Sequence, residues 1–255
     1  MGFSADWLAL REPADHAARD DALLETAARV AGARPVVVDL GCGTGSTRRA
    51  FGGRLGGAVW RMVDGDAALL ALAGGEAHCL DLNDVDALPL DGATLVTASA
   101  LFDLASAAWV DRLVDRLTRL GLPLYAALNY DGSMGWTPEL PEDGQITAAF
   151  NRHQVGDKGF GPALGPGATQ YLAERLQAAG YALREGDSPW QLGPDQAALQ
   201  DELLAGIAQA AQEAGFAGDA SAWRAARQAR VGQGLCRIGH RDLLAVPQTV
   251  SERRG

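Results

Sequence analysis

Residues 36–46, VVVDLGCGTGS, restrict this chain more than any other stretch. Three consecutive valines lead into Asp39, and β-branched residues pack well on a pleated surface buried on both faces. Residues 35–40 are therefore expected to form a central parallel strand. Gly41, Gly43 and Gly45 come next, at every second position. Glycine lets the chain turn sharply and leaves no Cβ between the backbone and a ligand. A helix starting near Ser46 would point its unpaired N–H groups into that turn.

A dinucleotide-binding turn, G-x-G-x-x-G, needs glycine at 41, 43 and 46, and position 46 is serine. The residues present are Asp-Leu-Gly-Cys-Gly-Thr-Gly, with an acid two residues before the first glycine. A pyrophosphate has no use for that carboxylate, whereas a ligand carrying an ammonium group does. A glycine-rich turn with no ligand is the other reading of the same residues. The motif resembles the first motif of the class I S-adenosylmethionine-dependent methyltransferases, which has the form acid-x-Gly-x-Gly-x-Gly. The resemblance covers roughly residues 35–130. It implies an α/β, Rossmann-like, doubly wound, mostly parallel seven-stranded sheet with an antiparallel last strand and helices on both faces. It also implies S-adenosyl-L-methionine as cofactor and methyl transfer to a small-molecule acceptor. In that picture Gly41, Gly43 and Gly45 seat the methionine end, and Asp39 orients the loop or the ammonium group.

Acids recur where the later strands should end. A second strand over 58–63 runs into Asp64-Gly-Asp66, about twenty residues past the glycine turn, where a ribose would lie. One carboxylate can accept hydrogen bonds from two adjacent hydroxyls. Asp64 ends the apolar run and is expected in that role, with Asp66 starting the next helix. A third strand over 76–80 is followed by Asp81-Leu82-Asn83. The resemblance implies that Asp81 reads the adenine amine and Leu82 forms an apolar wall; a solvated turn acid is the alternative. A fourth strand over 93–98 precedes Ser99-Ala-Leu-Phe-Asp103. Ligands sit outside the carboxyl ends of parallel strands, so Ser99 to Asp103 should floor the site. Asp103 falls where a catalytic or substrate-contacting group is expected. Many relatives in that family have a histidine near this point, and this chain has none.

The chain reads as one domain over 1–255. Residues 1–32 have helical spacing and are expected as two helices broken near Pro13. Arg11 and Arg19 there are either solvated helix charges or partners for the cofactor carboxylate. Residues 33–130 form the cofactor-binding half, with an amphipathic helix over 106–120 and a fifth strand over 124–128. Residues 131–167 read as a substrate lid or a plain surface loop, with a short helix over 145–152. They are rich in glycine and proline, and Tyr130, Trp136 and Phe160 argue against disorder. His153, Asp157 and Lys158 are placed to bind or deprotonate an acceptor, so His153, Asp103 and Tyr130 are the candidate catalytic residues. Residues 168–255 form the C-terminal half, with a helix over 168–179, a strand from 181, and a helical insertion over 195–230. The last strand covers 234–246 with a bend at 239–241, where His240 reads as structural, and the tail 251–255 is expected to be frayed.

Thirty-two acids against 22 Lys plus Arg give a net charge of −10, which disfavours a nucleic-acid partner. No apolar run approaches the ~18 residues of a membrane span, and the first residues do not read as a signal peptide. Cys42, Cys79 and Cys236 read as small buried residues in a reducing cytoplasm, with no disulfide framework and no metal site. Abundant Ala, Arg, Gly and Leu with a single lysine, Lys158, point to a GC-rich bacterial genome. Two other functions remain open on these residues. One is a nicotinamide-dependent oxidoreductase, which Ser46 opposes, and the other is a non-catalytic nucleoside-binding module.

Overall fold

The computed structural model describes residues 3–248; the tail at 251–255 lies outside the described residues. Eight strands form one sheet: β1 (Val36–Leu40), β2 (Val59–Asp64), β3 (Glu76–Cys79), β4 (Leu95–Ser99), β5 (Leu124–Thr137), β6 (Tyr181–Asp187), β7 (Trp190–Leu192) and β8 (Leu235–Pro247). Their order is β3-β2-β1-β4-β5-β8-β6, with β7 also beside β8. The pairs among β1 to β5 are parallel, and β8 runs antiparallel to β5, β6 and β7. Seven of these strands match the expected set. The eighth, β7, was not anticipated, and it pairs Trp190–Leu192 with Ile238–Cys236 of β8.

Helices cover both faces because neighbouring valines point to opposite sides of β1. Val38 and Leu40 pack with Val96, Leu124 and Ala126 against α5 (Ala107–Leu120) and α7 (Ala168–Ala178), through Trp109, Leu113, Leu117 and Leu172. Val37 packs with Met62, Leu95 and Tyr125 on the other face, against α2 (Asp21–Val30), α3 (Ser46–Phe51) and α4 (Ala67–Ala73), through Leu24, Phe51 and Leu70. A third core lies under the outer halves of β5 and β8. There Trp136, Trp190 and Ile238 meet Ile146 of α6 (Asp143–Gln154), Ile207 of α8 (Ala197–Glu213) and Trp223 of α9 (Ala220–Gln228). Arg227 and Asp143, a buried ion pair, fasten α9 to α6. No helix among the described residues is long and apolar enough to cross a membrane.

Four expectations need correction. The N-terminal helices break at Arg19 and not near Pro13: α1 (Ala5–Ala18) carries Pro13 inside it, and Asp20 starts α2 by accepting the Leu23 N–H at 2.8 Å. A good N-cap decides the boundary here, and α1 continues through Pro13 although that residue has no N–H to donate. Residues 131–137 are strand and not lid, because β8 offers a partner long enough to extend β5 to Thr137. The irregularities of register fall in β5, between Ala126 and Asn129 and between Tyr130 and Met134, whereas residues 239–241 stay in strand. Cys79 is exposed, while Cys42 and Cys236 are buried, and all three are free thiols.

The first irregularity in β5 has a visible anchor. Leu128 adopts φ +55°, costly for a branched side chain. Its N–H donates to Oδ1 of the fully buried Asp242 at 2.8 Å, while Tyr125 OH and the Asp20 N–H donate to Oδ2 at 2.8 and 3.2 Å. Asp242 thus ties β8, β5 and the start of α2 together. Asp242→Ala leaves three donors unsatisfied and should cost about 3–5 kcal/mol of stability. Urea unfolding followed by circular dichroism measures it.

Candidate active site

A cleft of about 230 Å³ opens over the carboxyl ends of β1, β2 and β4. Gly41, Gly43, Asp64, Asp66, Leu82 and Ser99 lie on its wall. The three glycines serve different ends. Gly45 (φ +85°) is absent from the cleft, because a Cβ there would sit 2.5 Å from the Ala73 carbonyl oxygen of α4. It is required for helix packing. Gly43 (φ +52°) is covered by Leu8 of α1, whose Cδ1 lies 2.9 Å from where a Cβ would stand. Gly41 faces Leu101 and Leu82, at 3.3 and 3.7 Å from the same point.

Asp64 holds this turn in place. Its Oδ2 accepts the Gly43 N–H at 2.8 Å, and its Oδ1 accepts the Asp66 N–H at 3.0 Å. A carboxylate has about four lone-pair sites, so acceptor capacity remains. Asp66 caps α4 through the Ala68 and Leu69 N–H groups, at 2.8 and 3.3 Å. Asp81 is exposed and lines an adjoining groove that shares Asp64, Asp66 and Leu82 with this cleft; it accepts the backbone N–H and the Nδ2 of Asn83 at 2.9 and 3.1 Å. Leu82 is fixed by its carbonyl, which accepts the Trp109 indole N–H at 2.7 Å.

Asp39 does not reach the cleft. It is buried behind the turn, with Oδ1 accepting the Thr97 hydroxyl at 2.7 Å and Oδ2 without a partner. Burial pushes its carboxyl up to about 7, which the Thr97 hydroxyl and the Arg19 charge offset only in part. Arg19 is no solvated helix charge, since it is only 6% exposed. It donates to Ser99 Oγ at 3.0 Å and Thr47 Oγ1 at 3.4 Å, both cleft residues, and its Nε and Nη1 have no partner.

Of the segment 131–167, Lys158 and Phe160 reach this cleft, with Phe160 edge-on to Trp109 at 5.4 Å. Asp157 Oδ1 shapes their turn by accepting the Gly159 and Gly161 N–H groups at 2.7 and 3.0 Å. Asn83 Nδ2 donates to the Gly159 carbonyl at 2.9 Å and docks the turn beside Asp81. His153 is not brought to the site. It ends α6 and turns to Glu213 of α8 at 3.0 Å, with Lys158 Nζ 3.1 Å from its other ring nitrogen. His153 lines neither this cleft nor its neighbour.

A second cleft, of about 160 Å³, adjoins the first and shares Phe3, Arg11, Ala100 and Leu104 with it. Asp103 and Tyr130 lie on its wall. Asp103 is buried, its Oδ1 has no partner, and burial raises its carboxyl to about 6. Tyr130 OH donates to Asn151 Oδ1 at 2.8 Å, and burial pushes its phenol well above the usual range. Ala100 carries φ +51° at the junction of the two clefts, a strained backbone of the kind that collects at functional sites.

Sequence reasoning singled out Arg11 of α1 but missed its neighbours Trp7 and Asp15 in the walls of the clefts. Arg11 forms a two-point pair with Asp15, at 2.8 and 3.0 Å, and lies 4.9 Å over the Trp190 ring. Asp15 also accepts the Trp190 indole N–H at 2.9 Å. Trp7, Arg11 and Asp15 are four residues apart, which places them on one helical face. That spacing was the available signal.

No protein-family model matches the chain, and no curated protein is similar to it in sequence. Solved structures do share its architecture. A protein put forward as a type II methyltransferase, from Anaeromyxobacter dehalogenans, is 19% identical, with 90% of this chain and 98% of that one covered at a TM-score of 0.53. The cyclopropane synthase MmaA2 from Mycobacterium tuberculosis is 13% identical, with 95% and 94% covered at 0.54. A geranyl diphosphate methyltransferase in complex with geranyl diphosphate and sinefungin is 12% identical, with 89% and 78% covered at 0.50. The architecture is the class I S-adenosylmethionine-dependent methyltransferase fold.

The raised Asp39 carboxyl makes stability depend on pH. The folded protein keeps this proton up to about pH 7, whereas the unfolded chain releases it near 4. Stability is therefore lost as pH rises through that window, by a few kcal/mol in order of magnitude. Asp39→Asn keeps the Thr97 bond without the titration. Its urea midpoint should fall less than the parent's between pH 5 and pH 8.

Proposed function

We propose that this chain is an S-adenosyl-L-methionine-dependent methyltransferase acting on a small-molecule acceptor. The observation that carries the reading is the continuity of the two clefts through Ala100. One has the donor groups for a nucleoside amino acid, and the other has room for a compact acceptor. When bound, S-adenosylmethionine supplies a methyl group already activated by its sulfonium. The protein's part is alignment and exclusion of water.

The residues fit that cofactor. Asp64 has spare acceptor capacity for ribose hydroxyls, and Asp66 stands beside it on the wall. Asp81 offers a carboxylate to the adenine amine, with Leu82 and Phe160 as apolar walls. Gly41 and Gly43 line the cleft where the methionine end would lie, with Leu8 covering Gly43. Arg19, with two buried nitrogens unpartnered beneath Ser99 and Thr47, supplies positive charge for the carboxylate. Asp39 acts from behind by fixing β1 to β4 through Thr97, and Gly45 acts through packing alone. A duplex would not enter the narrow second cleft, which favours a small acceptor, and the net charge of −10 favours the same.

Calorimetric titration with S-adenosylmethionine and S-adenosylhomocysteine should give binding by both, and none by NADH. Binding of NADH alone would support a nicotinamide enzyme, and binding of none would end the reading. Asp64→Ala removes the ribose acceptor and also frees the Gly43 and Asp66 N–H groups, so affinity should fall at least about tenfold, or 1.4 kcal/mol.

A further inference from the structure

The second cleft specifies its occupant more closely than its size does. Trp7, Leu128, Tyr130, Phe150, Trp190 and Ile238 make its wall predominantly apolar and ring-lined. Tyr130 and Phe150 meet edge to face at 5.6 Å, and such surfaces hold another flat ring by offset or edge contact. Most polar groups on the wall are already committed. Tyr130 OH is bound to Asn151, and the Trp190 indole and the Arg11 guanidinium are bound to Asp15. The buried polar atoms left without partners are Asp103 Oδ1 and His240 Nδ1. Burial holds His240 neutral, with its value pushed down to about 3. An unpartnered buried acceptor is costly, and Asp103 keeps one on the wall of this cleft.

We propose that the methyl acceptor is an uncharged aromatic alcohol, its ring held among Trp7, Tyr130, Phe150 and Trp190 and its hydroxyl hydrogen-bonded to the Asp103 carboxylate. This rests on the methyltransferase reading. An anionic acceptor would face that carboxylate, while Arg11 is already engaged by Asp15. A cationic amine would meet Arg11 and carries no lone pair to attack with. An aliphatic hydroxyl gives up its proton too reluctantly for a carboxylate, whereas a phenol is far more acidic, near 10 for tyrosine. In the reaction the hydroxyl proton passes to Asp103 and the phenolic oxygen bonds to the methyl carbon. The carbon–sulfur bond breaks with its electron pair left on sulfur. Carboxylate and sulfonium charges disappear together, so the step is favoured in a dry cleft.

An isosteric series tests this in protein saturated with S-adenosylhomocysteine, whose own binding is measured first. If the nucleoside fails to bind, the methyltransferase reading fails. If it binds, calorimetry with 2-naphthol, 2-methoxynaphthalene, 2-naphthoate and 2-naphthyl phosphate decides the acceptor class. The naphthol should bind at least about tenfold tighter than its methyl ether and than both anions. Asp103→Leu should abolish the preference over the ether, and Asp103→Asn should restore it, since an amide oxygen still accepts. With S-adenosylmethionine and 2-naphthol, Asp103→Asn should lower kcat by about 10²–10⁴-fold at unchanged cofactor affinity. The acidic limb of the parent's kcat/KM profile should vanish with it; Arg11, Tyr130 and His240 are the other titratable groups on this wall. Tighter binding of either anion, no binding by the naphthol, or an intact preference in Asp103→Leu overturns the proposal.

Discussion

One hydrogen bond organises the ligand-facing end of this molecule: the Gly43 N–H to the Asp64 carboxylate, across the tips of β1 and β2. Together with the Cys42 N–H on the Val63 carbonyl at 3.1 Å, it sets the height of the glycine turn above the sheet. With it, the backbone from Gly41 to Thr44 lies along the cleft, and the acid that holds it faces the same space. The second oxygen of Asp64 fixes Asp66, which in turn starts α4. Helix α4 then presents the Ala73 carbonyl that requires glycine at 45. A single carboxylate therefore sets the turn, the next helix and the packing between them.

The other half of the cavity depends on α1. Asp15 and Arg11 bind it to Trp190, and Glu12 binds it to Arg49 of α3 with two contacts of 2.6 and 2.5 Å. The helix thus bridges the first strands of the sheet and the added β7. Its apolar residues Trp7 and Leu8 supply wall to one cleft each. Strain at Ala100 and Leu128 lies on the facing side, where the neighbouring strands β4 and β5 end or bend. Asp242 compensates the second of these from beneath.

The parts that were legible in the sequence are those set by local chemistry. The valine run defines β1 and the glycines define the turn after it, because packing and backbone freedom act within a few residues. Asp64 stands out because it ends an apolar run, and Asp81 because it follows the third strand, where the resemblance expects an acid. The illegible parts depend on partners far along the chain. Residues 131–137 look like loop until β8, a hundred residues later, offers its edge. His153 looked poised because it precedes a glycine-rich segment, yet Glu213, 60 residues on, claims it. Arg19 was open between a solvated helix charge and a partner for the cofactor carboxylate, because its hydrogen-bond partner, Ser99, lies 80 residues away.

Phe3 belongs to the wall of both clefts and lies just before the first turn of α1. One aromatic ring therefore borders both compartments, and a substitution at this position changes the wall of each at once.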